Sequence, residues 1–218
     1  MATTDIILKF FIPAFKPFVA VVPTHFITPI KLHFFNSRGG MLRSDYPEQR
    51  THDMDELVCL SQQGDRSAFR QLYQQYCGRV YAICLRLLAD RNKAEDACQE
   101  VFVKVWQQLS LFRGDSLFST WLHSIATRTA IDLWRQDKLL RLATEDMPEL
   151  AGAELGQSRE LEQLILRLPH QARAVFVLFA LEGYQHQEIA QLLGIAEGSS
   201  KSQYHRARQL LREWLDEN

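Results

Sequence analysis

The stretch AEDACQEVFVKVWQQL, Ala94 to Leu109, decides how the chain is read. Its apolar residues Ala94, Ala97, Cys98, Val101, Phe102, Val105 and Leu109 recur at steps of three and four, the period of one buried helix face. Asn92 is placed to cap the start of that helix, and Glu95 to return a bond to the cap's backbone N–H. Asp96 adds negative charge near the positive end of the helix dipole. Off the buried stripe, Asp96, Gln99, Val103 and Trp106 lie on a common flank with Glu100 beside them. A tryptophan and a valine on a polar flank have two explanations. A second layer of the same domain covers them, or they form a docking face with an aromatic anchor inside an acidic and amide rim.

Outward from this helix the same period continues. Met54, Leu57, Val58 and Ser61 make one short face that Gly64 terminates. Asp65 caps a second helix with the stripe Phe69, Leu72, Tyr73, Tyr76, Val80, Ile83, Cys84, Leu87 and Leu88. On the C-terminal side FRGDSLFS, Phe112 to Ser119, breaks the pattern and reads as a loop pivoting on Gly114. The next helix, from about Leu117 to Arg135, buries Trp121, Leu122, Ile125, Ala126 and Leu133. Arg128 and Arg135 share its outer face, and Lys138 and Arg141 extend the positive charge. A basic helix beside an aromatic-bearing loop suits single-stranded DNA, because cations track phosphates while rings stack on unpaired bases. The alternative is that Phe112 and Phe118 simply close the bundle.

Residues 142–158 carry Glu145, Asp146, Glu149 and Glu154 with Pro148, Gly152 and Gly156, the composition of an acidic tether. A second bundle begins at Glu160, with Pro169 in the first turn of its next helix and Val175, Phe176, Phe179 and Ala180 in its core. Gln185 to Leu193, a turn at Gly194 and a basic helix from Glu197 to Leu215 describe a helix-turn-helix. Ser199, Ser200, Lys201, Gln203 and Tyr204 stand where side chains reach base edges in the major groove. Arg206 and Arg208 are placed for phosphates, as is Arg212. Ala207, Leu211 and Leu215 are assigned to the core.

The totals agree with an all-α protein. The 218 residues suffice for two small domains, with only 10 glycines and 7 prolines. A formal net charge of −1 argues against a freestanding, tightly held nucleic-acid binder, since phosphate neutralisation supplies most non-specific affinity. It leaves room for one that binds DNA when a larger partner contributes. The 4 cysteines, Cys59, Cys77, Cys84 and Cys98, lack C-x-x-C pairing, so free thiols in the reducing cytoplasm are expected rather than disulfides or a zinc site. No carboxylate pair, nucleophile with base or phosphate loop is present, so neither enzyme chemistry nor a cofactor or metal is expected.

Residues 1–52 read differently. The first 40 hold four of the 7 prolines and seven of the 13 phenylalanines but one acid, Asp5. Such frequent prolines break helices, and Lys16 and Lys31 interrupt the apolar runs, which argues against a membrane span. A signal peptide fits poorly, for want of a basic start and a small-residue cleavage site. The extension is either disordered or the product of a start assigned too early. We expect the second, with Met41 as the true start; a gene truncated to begin there that failed to restore activity would count against it.

With its sequel FRGDSLFSTWLHSIA, the stretch from Ala94 resembles the second conserved region of bacterial sigma factors of the extracytoplasmic-function (ECF) branch of the sigma-70 family. LPHQARAVFVLFALEGYQHQEIAQLLGIAEGSSKSQYHRARQLL, from Leu168 to Leu211, resembles that family's fourth region. The resemblance implies two small helical domains, a region 2 bundle at 53–141 and a region 4 helix-turn-helix domain at 160–218, joined by a flexible acidic linker at 142–159. It assigns Asp96, Gln99, Glu100, Phe102 and Trp106 to binding the core RNA polymerase. Phe112, Arg113, Phe118, Ser119, Trp121, Arg128 and Arg135 fall to the melted −10 promoter element, where an extruded base would sit in the loop. Ser199, Ser200, Lys201, Gln203, Tyr204, Arg206 and Arg208 fall to the duplex −35 element. An anti-sigma factor is a further implied partner.

Two departures bear on promoter choice. Arg128 stands where the family commonly has asparagine, and arginine only donates hydrogen bonds whereas asparagine also accepts them. Ser199, Ser200, Gln203 and Tyr204 replace the usual threonine, valine, arginine and leucine, so an unusual −35 sequence is expected; selection of the common ECF −35 consensus would refute it. The rival reading is a stand-alone helix-turn-helix regulator that binds palindromes as a dimer without polymerase.

Overall fold

The computed structural model describes residues 48–144 and 160–216, with side chains placed for 55–139 and 161–216. The N-terminal extension to residue 47, with the proposed start at Met41, and most of the acidic linker lie outside them. Among the described residues there are eight α-helices and no strand. They are α1 (Glu48–Gln62), α2 (Arg66–Leu88), α3 (Arg91–Gln108), α4 (Phe118–Thr144), α5 (Glu160–Arg167), α6 (His170–Phe176), α7 (His186–Leu193) and α8 (Glu197–Asp216). A short 3-10 turn, Leu109–Leu111, follows α3, and a π turn, Val177–Leu181, follows α6. None of the helices is long and apolar enough to cross a membrane.

The helix starts show why the chain breaks where it does. Asp65 Oδ1 accepts from the backbone N–H groups of Ser67 (2.7 Å) and Ala68 (3.2 Å), after Gly64 has taken a φ of 91°. The cap of α3 is Asp90, which accepts from Lys93 N–H at 3.0 Å, and not the expected Asn92. The helix begins earlier than the hydrophobic pattern alone indicates, because Ala89 turns the chain with a φ of 52°. At α7 the Gln185 N–H donates to Glu188 Oε2 at 2.7 Å, and Gly194 closes the helix with a φ of 63°.

The described residues form two compact units. The first joins residues 48–80 to Cys98–Ile125. Phe69, Leu72, Tyr73, Val80, Val101, Phe102, Val105, Leu109, Phe118 and Leu122 are buried there. The second joins Tyr81–Ala97 to residues 126–144 and 160–216, so the sequence boundary at 142–159 falls inside its span. Its buried residues include Leu87, Ala94, Ala130, Ile131, Trp134, Ile165, Leu168, Val175 and Leu178.

Two core assignments are corrected. Ala180 is exposed. The i+5 bond from Glu182 N–H to the Val177 carbonyl, 3.0 Å, widens the helix there and rotates the side chains out of the α-helical stripe. Leu215 is 48% exposed although Ala207 and Leu211, on the same face, are buried, so the cover of α8 ends before its last turn. Of the cysteines, Cys84 and Cys98 are buried, Cys77 is half-buried and Cys59 is exposed; all are free thiols.

Candidate nucleic-acid interface

The loop between α3 and α4 is built from aromatic rings. Phe112 lies 5.8 Å from Phe118 and 5.1 Å from Trp121, and Tyr76 reaches Phe118 at 5.5 Å. Phe118 is buried, and Phe112, Ser119 and Trp121 are half-buried. The cluster thus has a floor, Phe118, and a partly open wall, Phe112 and Trp121. These rings close the bundle, and Phe112 and Trp121 keep part of their faces open. Gln62 holds the loop in place by donating through Nε2 to the carbonyls of Leu109 (3.0 Å) and Phe112 (2.8 Å). Nothing local could have flagged Gln62, because its partners lie 47 and 50 residues away. Beside the aromatic cluster Arg113 is exposed, and Leu111 and Leu117 are 73% and 66% exposed. Large apolar residues open to solvent on both sides of a loop are a legible signal that the periodic reading passed over.

Along α4, Arg128 and Arg135 are exposed, while Thr127 beside Arg128 is fully buried. Arg135 is engaged: its Nη2 donates to the Gln191 carbonyl at 3.3 Å.

The flank of α3 divides. Asp96 and Glu100 are exposed, Gln99, Val103 and Trp106 half-exposed. Lys104 pairs with Glu100 at 2.7 Å. Phe102 is not on offer with them. It is 5% exposed and meets the edges of Tyr73 (4.6 Å) and Phe69 (6.5 Å), while Phe69 carries Trp106 at 4.8 Å. Phe102 therefore supports the flank from below. Burial pushes the Tyr73 phenol far above its ordinary range, so the cluster stays uncharged.

On α8, Ser199, Lys201, Arg206 and Arg208 are exposed, and Gln203 and Tyr204 are half-buried. Ser200 is fully buried, with its Oγ 2.9 Å from His186 Nδ1, so it joins the two helices of the motif instead of facing a groove. Tyr204 belongs to the same junction. Its ring lies 4.6 Å from Phe179 and 5.8 Å from His186, and Phe179 stacks on His186 at 4.3 Å. Arg208 sits over the outer face of Tyr204 at 5.8 Å. Burial and the neighbouring Lys201 lower the His186 pKa, partly opposed by Glu197, so the imidazole is neutral near pH 7. Lys201 in turn holds the Glu197 carboxyl below its ordinary pKa through a 2.6 Å ion pair. Of the other residues expected at base edges, Ser199 and Lys201 are exposed and Gln203 is half-buried. Among the described residues no group of three or more His, Cys, Asp or Glu side chains could hold a metal ion.

Residues 72–139 match the family described as Sigma-70 region 2, and residues 158–211 the family described as Sigma-70, region 4. The ECF RNA polymerase sigma factor SigW of Bacillus subtilis is 32% identical over 170 residues, covering 70% of this chain and 91% of the relative. The ECF RNA polymerase sigma factor SigE of Mycolicibacterium smegmatis is 31% identical over 166 residues, 70% of this chain and 64% of that protein. The RNA polymerase sigma-H factor of Pseudomonas aeruginosa is 29% identical over 184 residues, 76% and 95% of the two chains.

Proposed function

Because this chain belongs to the extracytoplasmic-function branch of the sigma-70 family of RNA polymerase sigma factors, we propose that it directs core polymerase to a promoter through three separate surfaces. Asp96, Gln99, Glu100 and Trp106 on α3 dock the polymerase. Phe112, Arg113, Ser119 and Trp121, with Arg128 and Arg135 on α4, hold the melted −10 strand by stacking and phosphate contacts, and Phe118 forms the floor. Ser199, Lys201 and Gln203 read the −35 duplex, while Arg206 and Arg208 hold its phosphates. Two domains, 53–141 and 160–218, carry these surfaces on the tether 142–159, and the protein works in the cytoplasm beside the polymerase. An anti-sigma protein covering the α3 and α8 faces is the partner that would silence it.

The observation that supports this reading most is the split along α3, where polar residues and a half-open tryptophan stand over a buried aromatic layer. The test is run-off transcription with core polymerase on the gene's own upstream DNA, comparing the wild type with Asp96→Ala/Trp106→Ala. A transcript that depends on the wild type, and is lost in the double variant without loss of helicity, supports the docking face. No transcript, together with tight palindrome binding by the protein alone, would favour the stand-alone regulator.

A further inference from the structure

Two leucines stand open at the ends of the loop between α3 and α4. Leu111 is 73% exposed and Leu117 66%, and each is the chain neighbour of a ring in the aromatic cluster, Phe112 and Phe118. A single exposed leucine needs no explanation. Here, however, the backbone holds both outward. Gln62 Nε2 donates to the carbonyls of Leu109 (3.0 Å) and Phe112 (2.8 Å), and Phe112 N–H donates to the Leu109 carbonyl at 3.1 Å. These bonds close around Ser110 and Leu111, so that Leu109 turns inward, 2% exposed, and Leu111 outward. The Leu117 carbonyl accepts from the N–H groups of Thr120 (3.0 Å) and Trp121 (3.2 Å), which fixes it at the start of α4 while Phe118 takes the buried position. Between the leucines, residues 113–116 are all exposed, and a side chain added at Gly114 would meet nothing within 4 Å.

The occupant follows from what the leucines flank. Phe112 and Trp121, 5.1 Å apart, show part of their faces, and Arg113 adds an exposed cation, a combination that suits a base and its phosphate. The neighbours of a base held there fall on the residues next in the chain, and the loop offers a leucine at each end. An aliphatic side chain makes no hydrogen bond to a base edge. The apolar group that sets one base apart is the C5 methyl of thymine. We infer that Leu111 and Leu117 are specificity-determining residues that take thymine methyls of the melted strand beside the extruded base, with Gln62 as the positioning residue for Leu111. This rests on the −10 reading and names the bases it selects.

The test is selection by core polymerase with the full chain on the gene's own upstream DNA, randomised through the −10 element. Each enriched non-template thymine is then replaced by deoxyuridine, which lacks only the methyl. The wild type is expected to enrich thymine beside the base held by the rings, and to lose about fourfold in binding per deoxyuridine, the worth of one buried methyl. Leu111→Ser and Leu117→Ser should each lose one thymine position and become indifferent to deoxyuridine there, at unchanged helicity because both side chains are exposed. Gln62→Glu, which turns an acceptor toward the two carbonyls, should weaken the Leu111 position and spare the Leu117 one; equal weakening of both overturns its positioning role. No enriched thymine, equal binding of deoxyuridine, or thymine preference intact in both serine variants overturns the inference. If another base preference is then lost in Trp121→Ala, the −10 reading still stands. Serine variants that lose only core-polymerase capture, with base preference intact, make the leucines a protein contact and likewise overturn the inference. No base preference at any randomised position in the wild type overturns the −10 reading itself.

Discussion

Replacing Phe102 by alanine separates support from contact on α3. The ring is 5% exposed and packs edge-on against Tyr73 and Phe69, at 4.6 and 6.5 Å. Removing a ring from such a site costs about 3–5 kcal/mol, of which each aromatic pair contributes about 0.5–1.5 kcal/mol. For a urea dependence of ~2 kcal/mol per molar, the midpoint of the first unit should fall by roughly 2 M. Asp96→Ala, on the exposed flank of the same helix, should move it by less than about 0.5 kcal/mol, within the range of ordinary surface substitutions. The assay pairs urea titration, followed by far-UV circular dichroism, with core-polymerase capture by each variant in buffer. Asp96→Ala is expected to lose capture at full stability, and Phe102→Ala to lose stability first. A Phe102→Ala protein with a wild-type midpoint and no capture would show that this ring touches the polymerase and would refute the argument from burial.

Asp90→Ala should cost about 1 kcal/mol, since it removes the acceptor for Lys93 N–H, whereas Asn92→Ala should stay within about 0.5 kcal/mol; thermal denaturation orders the two. Ser200→Ala should leave −35 base preference unchanged while costing about 1 kcal/mol of stability, and Ser199→Ala should do the reverse, as read by sequence selection and urea titration. The pKa of His186 is lower in the folded protein than its ordinary 6.5. In the window between the two values the unfolded chain therefore binds more protons, and stability rises with pH. Its contribution is present above about pH 6.5 and is lost as pH falls through the folded value. His186→Phe, which keeps a ring against Phe179, should flatten that part of the decline; an identical pH slope in both proteins would contradict it.

The helices and most of their buried faces could be read because each stripe is local: Val101, Phe102 and Val105 declare their face within a few residues. What escaped was decided at a distance. Trp134 is the largest fully buried side chain, yet α4 read as a basic helix with its apolar face ending at Leu133. The partner that buries Trp134, His170, lies 36 residues on. The sequence singled out neither Glu162 nor Arg173 for the same reason, each being matched by a group far along the chain. Asn92 and Asp90 are both able caps, and the choice fell to the backbone at Ala89, a residue that carries no turn signal. At the candidate site, the family resemblance placed Phe102 among the contacts although its period had already put it on the buried stripe, and Ser200 was placed by its position early in the recognition helix, while its burial depends on His186.

The π turn at Val177–Leu181 sets the helical phase of everything after it. An α-helix turns about 100° and rises about 1.5 Å per residue, so the extra residue in this turn fixes the azimuth at which Phe179 meets His186 and Tyr204. Deleting one residue between Val177 and Leu181 would leave a regular helix of ordinary stability with the helix-turn-helix swung about a quarter-turn around its axis. A frame-preserving deletion of this kind would spare every side chain of the recognition helix and still aim them away from where they now point.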